Sequence, residues 1–147
     1  MPLTIVVADD DPDYRMIVRY LLASVAEFMT LVGEAADGEE ALALVLRERP
    51  DVLVTDIVMP GLDGIELARR VREELPDTKI VLISLYTEDA YRRLASSSGA
   101  DAFVNKRVIN SSLLPAIRDV TGRRLSGGSG PLPPSAGASS SPAAPPN

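Results

Sequence analysis

Asp51-Val52-Leu53-Val54-Thr55-Asp56-Ile57-Val58-Met59-Pro60-Gly61-Leu62-Asp63-Gly64-Ile65-Glu66 is one complete passage from strand to helix. Val52–Thr55 is a short, nearly continuous run of apolar and β-branched residues, the pattern of a strand covered on both faces. Pro60 and Gly61 supply a turn. Asp63, followed three residues later by Glu66, is a reciprocal cap with Asp in the Ser/Thr position, and it starts a helix. Asp56 therefore stands at a strand end where no cap is needed, because turn and helix start are provided downstream. A carboxylate there is free for chemistry.

The same unit recurs in both directions. Strand-like runs at Leu3–Ala8, Thr30–Ala36, Lys79–Ser84 and Ala102–Val104 alternate with segments of helical period. After the first run, Asp11 and Pro12 read as N-cap and first helical residue, and Tyr14, Ile17, Val18, Leu21, Leu22 and Val25 form one stripe. Asp37 and Glu40 repeat the reciprocal cap. Val108, Leu113, Leu114, Ile117 and Val120 mark the last helix. The fourth, Glu88 to Ser98, is expected to be the loosest, because Ser96, Ser97 and Ser98 are poor interior formers. Five such units with right-handed crossovers predict an α/β fold, a five-stranded parallel sheet doubly wound with helices on both faces. Ligands of such sheets sit at the carboxyl ends of the strands.

Composition narrows the chemistry. The 147 residues contain no histidine and no cysteine. That excludes disulfides, thiolate metal sites, iron–sulfur ligation, cysteine nucleophiles, imidazole triads and H-E-x-x-H zinc sites. Acids outnumber bases by 21 to 15, which argues against nucleic-acid binding by this chain. No apolar run reaches the roughly 18 residues of a membrane span. No basic region precedes the apolar start, so a cytoplasmic location is expected. From Gly122 onward, Gly, Pro and Ser supply 17 of the last 26 residues; such a segment cannot bury enough to offset its ordering entropy. The domain is therefore expected over 1–121, and 122–147 reads as a disordered tail or linker. Arg123 and Arg124 are the only charges beyond residue 121, which leaves the domain 13 bases against 21 acids.

Four strand ends deliver polar groups to one rim: Asp9 and Asp10 after the first strand, Asp56 after the third, Ser84 ending the fourth and Lys106 just past the fifth. Three carboxylates there would repel and raise at least one pKa unless a cation lay between them. Magnesium suits a few carboxylates, a carbonyl and retained waters, and this set offers only oxygen. A carboxylate is also a competent nucleophile toward phosphoryl groups, and a metal plus one lysine would offset charge on the transferring oxygens. Ser84 can donate a hydrogen bond to such an oxygen, and Lys106 acts as a movable point charge. Singly, Ser84 is a strand end, Lys106 a surface lysine, Phe103 a core residue and Asp11 a cap. Their arrangement on one rim suggests phosphoryl acceptance.

Val6-Val7-Ala8-Asp9-Asp10-Asp11-Pro12, the passage from Asp51 to Glu66, Val81-Leu82-Ile83-Ser84 and Phe103-Val104-Asn105-Lys106 together resemble the receiver domain of bacterial two-component response regulators, over about residues 3 to 121. Gly33-Glu34-Ala35 and Asp37-Gly38-Glu39-Glu40-Ala41-Leu42 are closest to the LuxR/NarL-type branch, which usually carries a DNA-binding domain. The resemblance implies a flavodoxin-like fold with strand order 2-1-3-4-5. It implies that Asp56 accepts the phosphoryl group, that Asp9 and Asp10 hold magnesium with Asp56 and the backbone carbonyl of Val58, and that Ser84 and Lys106 bind the phosphoryl oxygens. Phe103 becomes the aromatic whose packing changes with the Ser84 loop. The donor would be a phosphohistidine on a sensor histidine kinase or histidine phosphotransfer protein, since this chain has no histidine. Phosphorylation would switch the face built from the fourth helix, fifth strand and fifth helix, in shape or by homodimer formation, without turnover of a separate substrate.

Some positions depart from the family pattern. Arg107 follows Lys106 where proline is frequent, and Leu85 follows Ser84 where a small residue is common. Tyr86 and Val58 occupy positions that govern water access to the acyl phosphate in the family; neither orients water well, so slow self-dephosphorylation is expected. Other classes fit less well. A haloacid-dehalogenase-like phosphatase needs a second Asp where Val58 stands, and a flavodoxin-like cofactor module needs a phosphate-cradling loop where Asp9, Asp10 and Asp11 would repel. Two further readings are the receiver part of a truncated DNA-binding regulator, the tail offering no helix-turn-helix, and a receiver-shaped module that is never phosphorylated. The intact set of Asp10, Asp56, Ser84 and Lys106 weighs against the latter.

Overall fold

The computed structural model describes residues 1–122. Its elements are β1 (Leu3–Ala8), α1 (Pro12–Ala23), β2 (Met29–Ala35), α2 (Gly38–Glu48), β3 (Val52–Asp56), α3 (Gly64–Glu74), β4 (Lys79–Ser84), α4 (Asp89–Ser97), β5 (Ala102–Asn105) and α5 (Ile109–Thr121), with a 3-10 turn at Lys106–Val108 before α5. The strands are parallel and lie in the order β2-β1-β3-β4-β5. The expectation for 122–147 falls outside the described residues, apart from Gly122, which ends α5 in the left-handed conformation at φ 72°.

Alternation along the central strands builds two separate cores. Ile5 and Val7 of β1, Val52 and Val54 of β3, and Val81 and Ile83 of β4 pack with Val18 and Leu22 of α1 and Leu113 and Ile117 of α5. Val6, Leu53, Ile80 and Leu82 face the other way, against α2 and α3 through Leu44, Val45, Leu67 and Val71. Strands buried on both faces must be apolar throughout, which is why β1, β3 and β4 read as unbroken runs.

Side-chain caps set three helix starts at the carboxyl ends of the strands. Asp11 accepts from Asp13 N, Asp37 from Glu40 N and Asp63 from Glu66 N. Glu40 reciprocates by accepting from Ala36 N at 2.8 Å, which takes Ala36 out of β2. In contrast, α4 has no side-chain cap and buries only Ala95. Its far end is secured from outside. Arg72 of α3 donates to Gly99 O, Pro76 O and Thr78 O and pairs with Asp101 Oδ2 at 2.6 Å, while Asp101 Oδ2 also accepts from Ile80 N.

Two stripe residues lie elsewhere than their spacing predicts. The helical stripe is expected to include Val25, yet α1 stops at Ala23, where the Ser24 hydroxyl bonds back to Leu21 O. Val108 belongs to the 3-10 turn instead of the buried stripe of α5 and is 48% exposed, with Ile109 buried in its stead. The chain leaves β5 in a turn of threefold period, which rotates Val108 away from the sheet.

Candidate functional site

Each acidic group is placed by main-chain geometry at a strand end. Asp9 N donates to Ala35 O at 3.0 Å, extending the β1–β2 ladder by one residue. Its side-chain Oδ1 accepts from Asp11 N at 2.9 Å, and its carbonyl accepts from Arg15 Nη1 at 2.6 Å. Arg15 and Arg19 both pair with Glu34 on β2, so α1 and β2 brace the end of β1. Asp56 closes β3 opposite Ile83 of β4. Gly64 packs so tightly beneath it that a Cβ would clash with Asp56 O and come within 2.8 Å of Ile57 Cα.

Lys106, the first residue past β5, turns back into the rim. Its Nζ lies 2.7 Å from Asp9 Oδ2, 3.2 Å from Asp56 Oδ2 and 4.2 Å from the centroid of the Tyr14 ring. Asp9, Asp56 and Lys106 are buried, whereas Asp10 is exposed. One carboxylate oxygen from each of Asp9, Asp10 and Asp56 lies within 4.8 Å of the other two.

The electrostatics follow from this crowding. Burial first, and then the Asp9 charge, push the Asp56 carboxyl from 3.8 up to about 6, with Lys106 pulling the other way. Burial lowers the Lys106 ammonium, but Asp9 and Asp56 together outweigh it and raise the group above its ordinary value. Asp9 Oδ2 is fully buried, and its close partner is the Lys106 ammonium at 2.7 Å. Three converging carboxylates sharing one ammonium are a donor set suited to a hard divalent cation.

Ser84 ends β4 fully buried, and its Oγ accepts from Tyr86 N at 2.9 Å, which leaves its own O–H to donate. Val58 lies on the loop after Asp56 with a half-exposed side chain, as do Leu85 and Tyr86 after Ser84. The Tyr86 ring stacks on Tyr91 of α4 at 5.3 Å. Phe103 on β5 is partly buried beneath the Arg92 guanidinium, 5.2 Å from its ring centroid.

Residues 5–118 match the response regulator receiver domain family. The chain belongs to this family. It is 34% identical over 116 residues to the transcriptional regulatory protein YxjL of Bacillus subtilis, covering 79% of this chain and 53% of that protein. With the oxygen regulatory protein NreC of Staphylococcus epidermidis it shares 37% over 123 residues, covering 80% and 54%. It thus spans about half the length of the curated relatives it matches. Among solved structures, the receiver domain of the response regulator NarL from Mycobacterium tuberculosis superimposes with a TM-score of 0.76 at 39% identity, covering 83% of this chain and 98% of that one. The receiver domain of RcsB from Salmonella enterica, solved with the phosphomimetic BeF3, gives 0.74 at 25% identity, covering 83% and 90%.

Within this receiver domain the structure gathers Asp9, Asp10, Asp56 and Lys106 into one cluster, with Ser84 on the adjoining strand end. Two contributors escape a reading of the sequence alone. Tyr14 reads as a stripe residue of α1, yet its ring faces the Lys106 ammonium. Arg15 carries a faint signal, because a cation in the first turn of a helix opposes the macrodipole and calls for a local partner. Among the described residues no helix is long and apolar enough to cross a membrane.

Proposed function

We propose that this receiver domain accepts a phosphoryl group on Asp56 from a phosphohistidine of a sensor histidine kinase or histidine phosphotransfer protein. An Asp56 oxygen attacks phosphorus in line; the O–P bond forms as the N–P bond breaks, and the leaving imidazole keeps the electron pair and takes up a proton. The observation that carries this reading is the buried Lys106 ammonium set between Asp9 and Asp56, with the Asp10 carboxylate beside them. Asp9, Asp10, Asp56 and the carbonyl of Val58 would hold magnesium, which supplies charge neutralisation for the transferring oxygens. Lys106 and the Ser84 hydroxyl bind those oxygens.

A dianion on Asp56 draws Ser84 and Lys106 inward from the ends of β4 and β5 and biases the α4–β5–α5 face between two packings. Its helix α4 is weakly anchored at its start. The output is a change in shape or self-association of that face, in the cytoplasm and through protein contacts. The excess of acids over bases opposes nucleic-acid binding by this domain, and no separate substrate is turned over.

Intact mass after incubation with magnesium and acetyl phosphate tests the acceptor. A gain of one phosphoryl group in the wild type and none in Asp56→Ala is expected, and equal masses overturn the assignment. Hydrogen exchange with and without magnesium and beryllofluoride tests the output, with altered protection expected across residues 84–110 and unchanged protection counting against it.

A further inference from the structure

We infer that Tyr14 is a positioning residue for Lys106 and, through it, sets the affinity of the acid cluster for magnesium. This inference rests on the proposed role of that cluster. At 4.2 Å from the ring centroid, the ammonium is within the range at which an aromatic face holds a cation. The Lys106 side chain is 4% exposed, so water contributes little and the nitrogen depends on three partners: Asp9 after β1, Asp56 on β3 and Tyr14 on α1. Tyr14 reaches the rim because the Asp11 cap and Pro12 start α1 beside it.

The link to the metal is a conflict over one atom. Asp9 Oδ2 is buried and pairs with the ammonium at 2.7 Å. If magnesium is held through that oxygen, ion and ammonium would share one acceptor, and two cations there would repel strongly in a site with little water. Lys106 would then leave Asp9 when the metal binds. The Tyr14 face stabilises the ammonium where it now stands and loses that contact as Lys106 moves. Tyr14 thus favours the metal-free arrangement and weakens magnesium binding. Leucine at this position would fill the α1 stripe without holding a cation, whereas phenylalanine keeps the ring face and drops only the hydroxyl.

The chain has two lysines, Lys79 and Lys106, so lysine-selective isotope labelling of the full chain gives two sets of signals, assigned with Lys79→Arg. In the metal-free wild type and in Tyr14→Phe, ring current shifts the Lys106 ε-methylene protons upfield. In Tyr14→Leu, or Tyr14→Met should the leucine variant not fold, they return toward the position of Lys79. Titration with magnesium chloride on the same signals, and on the Asp10 amide in a uniformly nitrogen-15-labelled sample, should give Tyr14→Phe an affinity within about twofold of wild type, and the leucine or methionine variant an affinity about three- to tenfold tighter. Lys106 signals without an upfield shift in the wild type overturn the inference. So do equal affinities across the series when the wild type binds normally, a result that leaves the site assignment standing. A wild type that gives no magnesium response overturns the proposed site itself, and this inference with it.

Discussion

Lys106 is held closer to Asp9 than to Asp56: its ammonium nitrogen is 2.7 Å from Asp9 Oδ2 and 3.2 Å from Asp56 Oδ2. The cation leans toward the fully buried carboxylate and away from the proposed acceptor. Asp56 is left incompletely compensated, so burial first and then the Asp9 charge keep its carboxyl raised to about 6 against the opposing pull of Lys106.

The first consequence concerns stability. Unfolded, the Asp56 carboxyl ionises near 3.8; folded, it does so at about 6, so the native state binds the extra proton between those values. The stabilising contribution is present below the lower value and lost as pH rises through the upper one. Asp56→Asn should therefore stabilise the metal-free domain by about 1 to 2 kcal/mol at about pH 8, after discounting for solvent screening, and by little at about pH 4. Denaturant midpoints in EDTA measure both. A less stable variant at the higher pH would mean that Lys106 pairing outweighs burial and Asp9 repulsion.

On the proposed reading, protons and magnesium would compete for the same oxygens. With Asp56 titrating at about 6, lowering the pH from about 8 to about 5 should weaken magnesium binding about tenfold, because the group must lose its proton to ligate. Calorimetric titration at several pH values checks this, and a flat profile would place Asp56 outside the metal shell.

Gly64 is fixed by space. An added Cβ would press on backbone at Asp56 and Ile57, which cannot move aside as a flexible side chain could. Gly64→Ala should cost about 2 to 3 kcal/mol and perturb the Asp56 amide resonance even at low temperature. A neutral substitution would show that the β3–α3 connection yields more easily than its packing indicates.

Arg72 ties α3 to the α4–β5 connection through Gly99 O and Asp101, and to its own α3–β4 connection through Pro76 O and Thr78 O. Arg72→Met should cost about 2 to 4 kcal/mol by stranding those acceptors and speed hydrogen exchange at residues 98–102. Lysine should rescue little, because one ammonium cannot span the fork. Full rescue by lysine would reduce the role of Arg72 to simple charge.

Tyr86 stacks on Tyr91 and donates its N–H to Ser84 Oγ. Tyr86→Ala should shorten the lifetime of the phosphorylated domain about three- to tenfold by opening a water path, an extrapolation from typical losses of general-base positioning. Phosphate release after removal of acetyl phosphate measures it. An unchanged lifetime would discard any shielding role.

Much of this architecture is legible in the residues because the forces involved are local. Double-sided burial makes β1, β3 and β4 apolar along most of their length, and the Asp37–Glu40 and Asp63–Glu66 pairs announce their helices. The displaced pieces answer to distant partners. The inward turn of Lys106 toward Asp9 and Asp56 accompanies the 3-10 turn that exposes Val108, and no local period encodes that. The convergence of Asp9, Asp10, Asp56 and Lys106 is visible because all four lie at or just past strand ends, whose positions the fold dictates. The meeting of Tyr14 with Lys106 is not, since an aromatic at helical spacing reads as core until the far end of the chain is folded against it.

Three carboxylates share their corner with a single ammonium, and that imbalance has a temporal meaning. On the proposed reading, an incoming anion would be turned away until a dication had docked and would be drawn in afterwards. The order of arrival would then be built into the corner's charge, making cation supply a second condition on the message alongside the donor itself.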